Sequence, residues 1–151
     1  MQAGGGTALF DAISTALISA PSSDRRQLVL FFTDGIDRNS ATSPAMLEEV
    51  TQRANATLAF LMSSADLRAP SPSSAAVSFL VRLAQHTGSA AIFTAGPTNL
   101  STPFRTILER FRSTYVLYYS PRGVDEPGFH MLVVRVKRGN PTVTARRGYF
   151  R

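Results

Sequence analysis

Apolar and polar positions alternate along this chain with two different periods, and the change of period divides it. Leu9, Ile13 and Leu17 recur every fourth residue with Phe10 and Ile18 beside them, which predicts a helix from Thr7 to about Ser19. Gly4-Gly5-Gly6 precedes it, permitting close backbone approach, and Thr7 is placed to cap its N-terminus. Pro21-Ser22-Ser23-Asp24 predicts a turn. Leu28-Val29-Leu30-Phe31-Phe32 is apolar without a break, as a central parallel strand covered on both faces requires. A helix is predicted from Pro44 to Ala54, with Met46, Leu47 and Val50 inward, and a second buried strand over Thr57–Met62. After a Pro/Ser/Ala-rich loop over 63–74, a helix is expected from Ala75 to His86, closed by Gly88 as a left-handed cap. A short strand over Ala90–Thr94 and a helix capped by Ser101, with Phe104, Ile107, Leu108 and Phe111 inward, complete the alternation.

The final forty residues read differently. Tyr115–Tyr119, His130–Lys137 and Thr142–Phe150 are β-type runs separated by Pro121-Arg122-Gly123 and Gly139-Asn140-Pro141. Val134 and Val136 alternate with Arg135 and Lys137, so one face should be buried and the other wet. The fold class is therefore α/β: a doubly wound, Rossmann-like, mainly parallel sheet flanked by helices, with a C-terminal antiparallel β-meander. Residues 1–113 make the α/β part and 114–151 a β extension packed on the same domain.

At 151 residues the chain is long enough for one real core. Its longest apolar runs stop after five residues, far short of the roughly 18–20 that a membrane span needs. Met-Gln-Ala-Gly-Gly-Gly has neither the basic start nor the apolar stretch of a signal peptide. Zero cysteines exclude disulfides, thiolate metal sites and cysteine nucleophiles. The net charge of +6 is lopsided: six basic and seven acidic residues up to Phe104, then ten basic against three acidic. Fifteen of the sixteen basic residues are arginines spread along the whole chain, so a solvated face is favoured over nucleic-acid binding. His86, at a helix C-terminus, is read as structural, and His130 as packing or surface. Tyr115, Tyr118 and Tyr119 are read as strand packing against the last helix and not as a base-stacking platform.

Candidate chemistry gathers at two places. Asp34, in Thr33-Asp34-Gly35, follows a strand, and loops at the carboxyl ends of parallel strands form the ligand crevice of such sheets. If the first helix is the crossover element before that strand, Thr7 reaches the same crevice. A carboxylate and a hydroxyl suit a hard cation such as Mg²⁺, which takes about six oxygens, so two protein oxygens alone make a weak site. Asp37 and Ser40 fit loop support, because the glycine and distal glutamate of a calcium loop are missing.

The segments Gly5-Gly6-Thr7-Ala8-Leu9-Phe10-Asp11-Ala12 and Leu28–Asp37 resemble two of the three loops of a von Willebrand factor A-type (VWA) domain, the threonine loop and the aspartate loop. The C-terminal Tyr118-Tyr119-Ser120-Pro121, Gly128-Phe129-His130, Val134-Arg135-Val136 and Ala145–Phe150 are similar to the bacterial VWFA-related family of acidobacterial type. The resemblance runs from Gly4 to Phe150. It implies a protein-binding or adhesion module, not an enzyme, in which Thr7 and Asp34 are metal ligands and Gly6, Gly35, Asp37 and Ser40 support them. It implies Mg²⁺, or Mn²⁺ or Ca²⁺, bridging to an acidic group of a protein partner, and an exported or cell-envelope setting. The family's Asp-x-Ser-x-Ser loop occurs nowhere in this sequence. By the family's layout it precedes Thr7 on a central strand, so either the domain is truncated at its N-terminus or this version has lost the metal site. Truncation would leave the Leu28–Phe32 strand with a free apolar edge open to self-association. The rival readings are a metal-assisted hydrolase using Asp34 and Asp37, and a structural domain with a vestigial site.

Overall fold

In a computed structural model of the protein, residues 6–19, 25–63, 74–94, 100–139 and 141–151 are described. Gly4 and Gly5, the Pro21–Asp24 turn, most of the 63–74 loop and Asn140 lie outside them. The elements, in order, are α1 (Leu9–Ile18), β1 (Gln27–Thr33), α2 (Pro44–Arg53), β2 (Ala56–Ser63), α3 (Ala75–His86), β3 (Ala91–Thr94), α4 (Ser101–Arg112), β4 (Phe129–Met131) and β5 (Gly148–Phe150).

β1, β2 and β3 form a parallel sheet in that order, with Leu30 opposite Ala59 and Phe60 opposite Ala91. Side chains alternate across the sheet, so each strand feeds two cores. Leu58, Phe60 and Met62 of β2 meet Leu9, Ile13 and Leu17 of α1, Leu47 of α2 and Val77, Leu80 and Leu83 of α3 on one face. Ala59 and Leu61 meet Ile107 of α4 on the other, with Leu28, Leu30 and Ile92 around them. Helices thus cover both faces of a mainly parallel sheet, and the fold is α/β.

The central strand is β2, however, and not β1, which lies at the edge of the three-stranded sheet. Continuous apolarity reports that helices cover both faces, and β1 has such cover without a second lateral neighbour. Its residues are mostly half-buried, and Phe32 is 52% exposed. Among the described residues no strand pairs with the outer edge of β1.

Three helix starts and stops follow local chemistry. Ser43 caps α2 by accepting from Met46 N, and Ser74 caps α3 by accepting from Val77 N. Gly88 closes α3 at φ +80°, where a Cβ would meet the Arg146 backbone nitrogen at 2.8 Å. Two expected caps fail. α1 begins after Ala8 with no side-chain cap of its own, and Ser101 lies inside α4, which follows an uncapped Leu100. Met46 and Phe104, expected inward, are exposed, because their helices contribute narrower buried faces centred on Leu47 and Ile107.

The C-terminal meander is reduced to β4 and β5, an antiparallel ribbon pairing Phe129 with Phe150 and separate from the parallel sheet. Tyr115–Tyr119 is not a strand, Tyr115 and Tyr118 are almost fully exposed, and Val134 and Val136 are exposed. Side chains and a single backbone hydrogen bond, not a shared ladder, attach the ribbon. Arg146 donates to the carbonyls of Gln52 (2.6 Å), Ala54 (2.7 Å) and Gly148 (2.8 Å). Arg147 N donates to His86 O at 3.2 Å, and Arg53 lies 3.9 Å over the Phe150 ring. A guanidinium needs no strand register to do this, which is why alternation in the sequence overstated the sheet.

Candidate functional site

The site is built at the carboxyl end of β1. Thr33, buried, ends the strand and accepts from Gly35 N through its hydroxyl at 3.0 Å. Asp34 follows, exposed, with Oδ1 accepting from Ile36 N at 3.0 Å. This is an Asx turn, made possible by Gly35 at φ +83°. The carboxylate stands at the rim with one oxygen engaged by the turn.

The loop then crosses to the start of α1. Phe10 N donates to Asp37 Oδ1 and to Ser40 Oγ, each at 3.0 Å, and Asp11 N donates to Ser40 Oγ at 3.1 Å. Ser40 in turn donates to Asp37 Oδ1 at 2.5 Å. These bonds satisfy first-turn amides that a local cap would otherwise take. The exchange is reciprocal: the Asp11 carboxylate accepts from Ala41 N at 2.9 Å and Thr42 N at 2.8 Å. The Thr42 side chain, followed by these two amides, holds the Asp11 carboxyl below its usual range. Arg38 N and Asn39 N both donate to the carbonyl of Thr7, at 2.9 and 3.4 Å.

The carbonyl of Thr7 is thereby tied to Arg38 and Asn39, in the loop that follows Asp34. Thr7 is exposed and is not the cap of α1. The reason is that Asp37 and Ser40, thirty residues away in sequence, already take the amides a cap would serve. Gly6 lies against Asn39, whose carboxamide nitrogen would be 2.2 Å from a Cβ there. The four supporting residues therefore fall into two kinds. Asp37 and Ser40 have their oxygens occupied by α1, and Gly6 and Gly35 allow the close approach and the turn. Asp11 does as much to join the two loops as either Asp37 or Ser40, and was not singled out from the sequence. Its one legible signal was an acid in the first turn of a helix.

The oxygens that Asp34 and Thr7 offer, a carboxylate and a hydroxyl, fit Mg²⁺, Mn²⁺ or Ca²⁺ in kind and fall short of six in number. Among the described residues no group of three His, Cys, Asp or Glu is disposed to hold a metal. His86 is elsewhere, at the C-terminus of α3, with Nε2 3.2 Å from Glu48 and its ring against Phe129. His130 Nε2 pairs with the Glu126 carbonyl at 2.9 Å, and its ring lies against Tyr149. Neither imidazole is near the rim.

The structure is an α/β domain in which the loop after a parallel strand is hydrogen-bonded to the start of the preceding helix. Comparisons of the chain with protein-family models, with curated proteins and with solved structures find no match. Among the described residues no helix is long and apolar enough to cross a membrane.

Proposed function

We propose that this chain is a protein-binding module of the von Willebrand A kind, in which Thr7 and Asp34 supply two oxygens to a divalent cation. One observation supports this above others: the clamp between α1 and the 37–42 loop ties the Thr7 carbonyl to the loop that follows Asp34 and uses neither the Thr7 nor the Asp34 side chain. The cation, Mg²⁺ or else Mn²⁺ or Ca²⁺, takes its remaining ligands from water, from a serine-bearing loop such as the resemblance implies, and from an acidic group of the partner protein. Two protein oxygens give weak binding by this chain alone. The surrounding loops set partner specificity.

Calorimetric titration with Mg²⁺ and Mn²⁺ tests the reading, on this chain and on one carrying an Asp-x-Ser-x-Ser strand ahead of Thr7. The expected result is saturable binding in the extended chain, weak or undetectable in the short one, and abolished by Asp34→Ala. Absence of binding in both forms sinks the proposal and leaves a structural domain. Turnover of phosphoester or peptide substrates, lost with Asp34→Ala, would replace it with the metal-assisted hydrolase.

A further inference from the structure

Asp34 precedes Gly35, and no other Asp–Gly or Asn–Gly pair occurs in the sequence. Such a pair carries a chemistry of its own. A glycine has no side chain to shield its amide nitrogen. That nitrogen can attack the side-chain carboxyl carbon of the aspartate before it and close a succinimide ring. A C–N bond forms, and one carboxyl oxygen leaves as water with the amide proton and a carboxyl proton. Water then opens the ring at either carbonyl. Opening at the former side-chain carbonyl restores aspartate. Opening at the former main-chain carbonyl leaves isoaspartate, which has one more carbon in the backbone and one fewer in the side chain.

In a flexible peptide nothing opposes this closure, whereas three contacts oppose it in the fold. The Gly35 amide, which is the attacking group, donates to Thr33 Oγ1 at 3.0 Å, and Thr33 is buried at the end of β1. The nitrogen must lose this proton to react, and a buried hydrogen bond holds it in place. The Asp34 carboxylate, which is the group attacked, has Oδ1 engaged by Ile36 N at 3.0 Å, and this restricts its rotation. Gly35 itself is buried under α3, where a Cβ would lie 3.4 Å from Val77 and 3.8 Å from Leu80. Cyclisation draws the Asp34–Gly35 peptide unit into a planar ring and so shifts backbone that rests on these two core side chains. A close-packed interior resists that shift.

We propose that Asp34–Gly35 is an isomerisation site that the Thr33 hydroxyl keeps closed while the domain is folded. Local opening of the turn, and not unfolding of the whole sheet, then sets how fast the Asp34 carboxylate is lost. The chemistry is the same whether or not Asp34 meets a cation.

Incubation of the full chain and of a Phe32–Arg38 peptide, at neutral pH and physiological temperature without added metal, tests this. Isoaspartate in place of Asp34 is read by mass spectrometry after digestion. The folded chain should accumulate it at least about tenfold more slowly than the peptide. Thr33→Val, which keeps the side-chain shape and removes the hydroxyl, should speed it by about two- to tenfold, the worth of one hydrogen bond. Thr33→Ser should retain the native rate. Amide exchange along the β1–β2 ladder shows whether the valine variant is folded, and Thr33→Ala serves in its place where it is not. Equal rates in the folded chain and the peptide overturn the proposal. A folded variant that lacks the hydroxyl and still reacts at the native rate overturns it too.

Discussion

The guanidinium of Arg146 donates to the carbonyl oxygen of Ala54 at 2.7 Å, joining the C-terminal ribbon to the end of a helix ninety-two residues earlier. The same group reaches Gln52 and Gly148, so one side chain satisfies carbonyls on two elements. Burial draws its pKa down, yet an arginine keeps its charge.

Arg146→Ala should therefore destabilise the chain by about 2–4 kcal/mol, since buried carbonyls lose a charged donor. Arg146→Lys should recover only part of this, because one ammonium lacks the planar fork. Denaturant midpoints of the three proteins check the order. Near-equal midpoints would show that the ribbon is held otherwise.

Asp37→Ala and Ser40→Ala should each cost about 1–2 kcal/mol, the range for losing a helix cap. Asp34→Ala should change stability by about 0.5 kcal/mol or less, its side chain making one exposed turn bond. Thermal melts of the three variants separate supporting residues from the proposed ligand.

Acid should loosen the rim through Asp11. Its folded-state pKa lies below that of the unfolded chain, so its contribution is complete above the ordinary aspartate value of about 3.9 and is lost as pH falls through the lower folded value. Asp11→Asn should accordingly flatten the fall in stability below about pH 4. A variant with the wild-type slope would assign the acid response to other carboxylates.

Gly35→Ala and Gly88→Ala begin from nearly the same backbone, φ +83° and +80°. Both incur about 1 kcal/mol of left-handed strain. At Gly35 the new methyl would meet Val77 at an ordinary 3.4 Å, whereas at Gly88 it presses on the Arg146 backbone. The Gly88 variant should be the less stable by at least about 1 kcal/mol, read from denaturant unfolding.

Much of the parallel half was legible because its rules are local. Ser43, Ser74 and Gly88 mark helix ends by chemistry that acts within four residues, and the expected β1, β2 and β3 fall within a residue or two of the observed strands. The C-terminal part was not, because alternation at Val134 and Val136 specifies a face but not a partner, and arginine contacts took the place of a ladder. At the candidate site, an approach of the start of α1 to the loop after β1 was foreseeable from a helix preceding a strand. The capping of α1 by Asp37 and Ser40 was not, since a bond spanning thirty residues leaves no periodic trace and Thr7 offered a simpler local cap.

Because Thr7 enters the clamp only through its carbonyl, its side chain is free to change without disturbing the scaffold. Serine in its place, or glutamate for Asp34, would alter the reach and charge of the socket while the surrounding loops stay put. If the site holds a cation as proposed, its affinity is thus uncoupled from folding, and a sequence can drift from strong to negligible cation capture by exchanging exposed side chains alone.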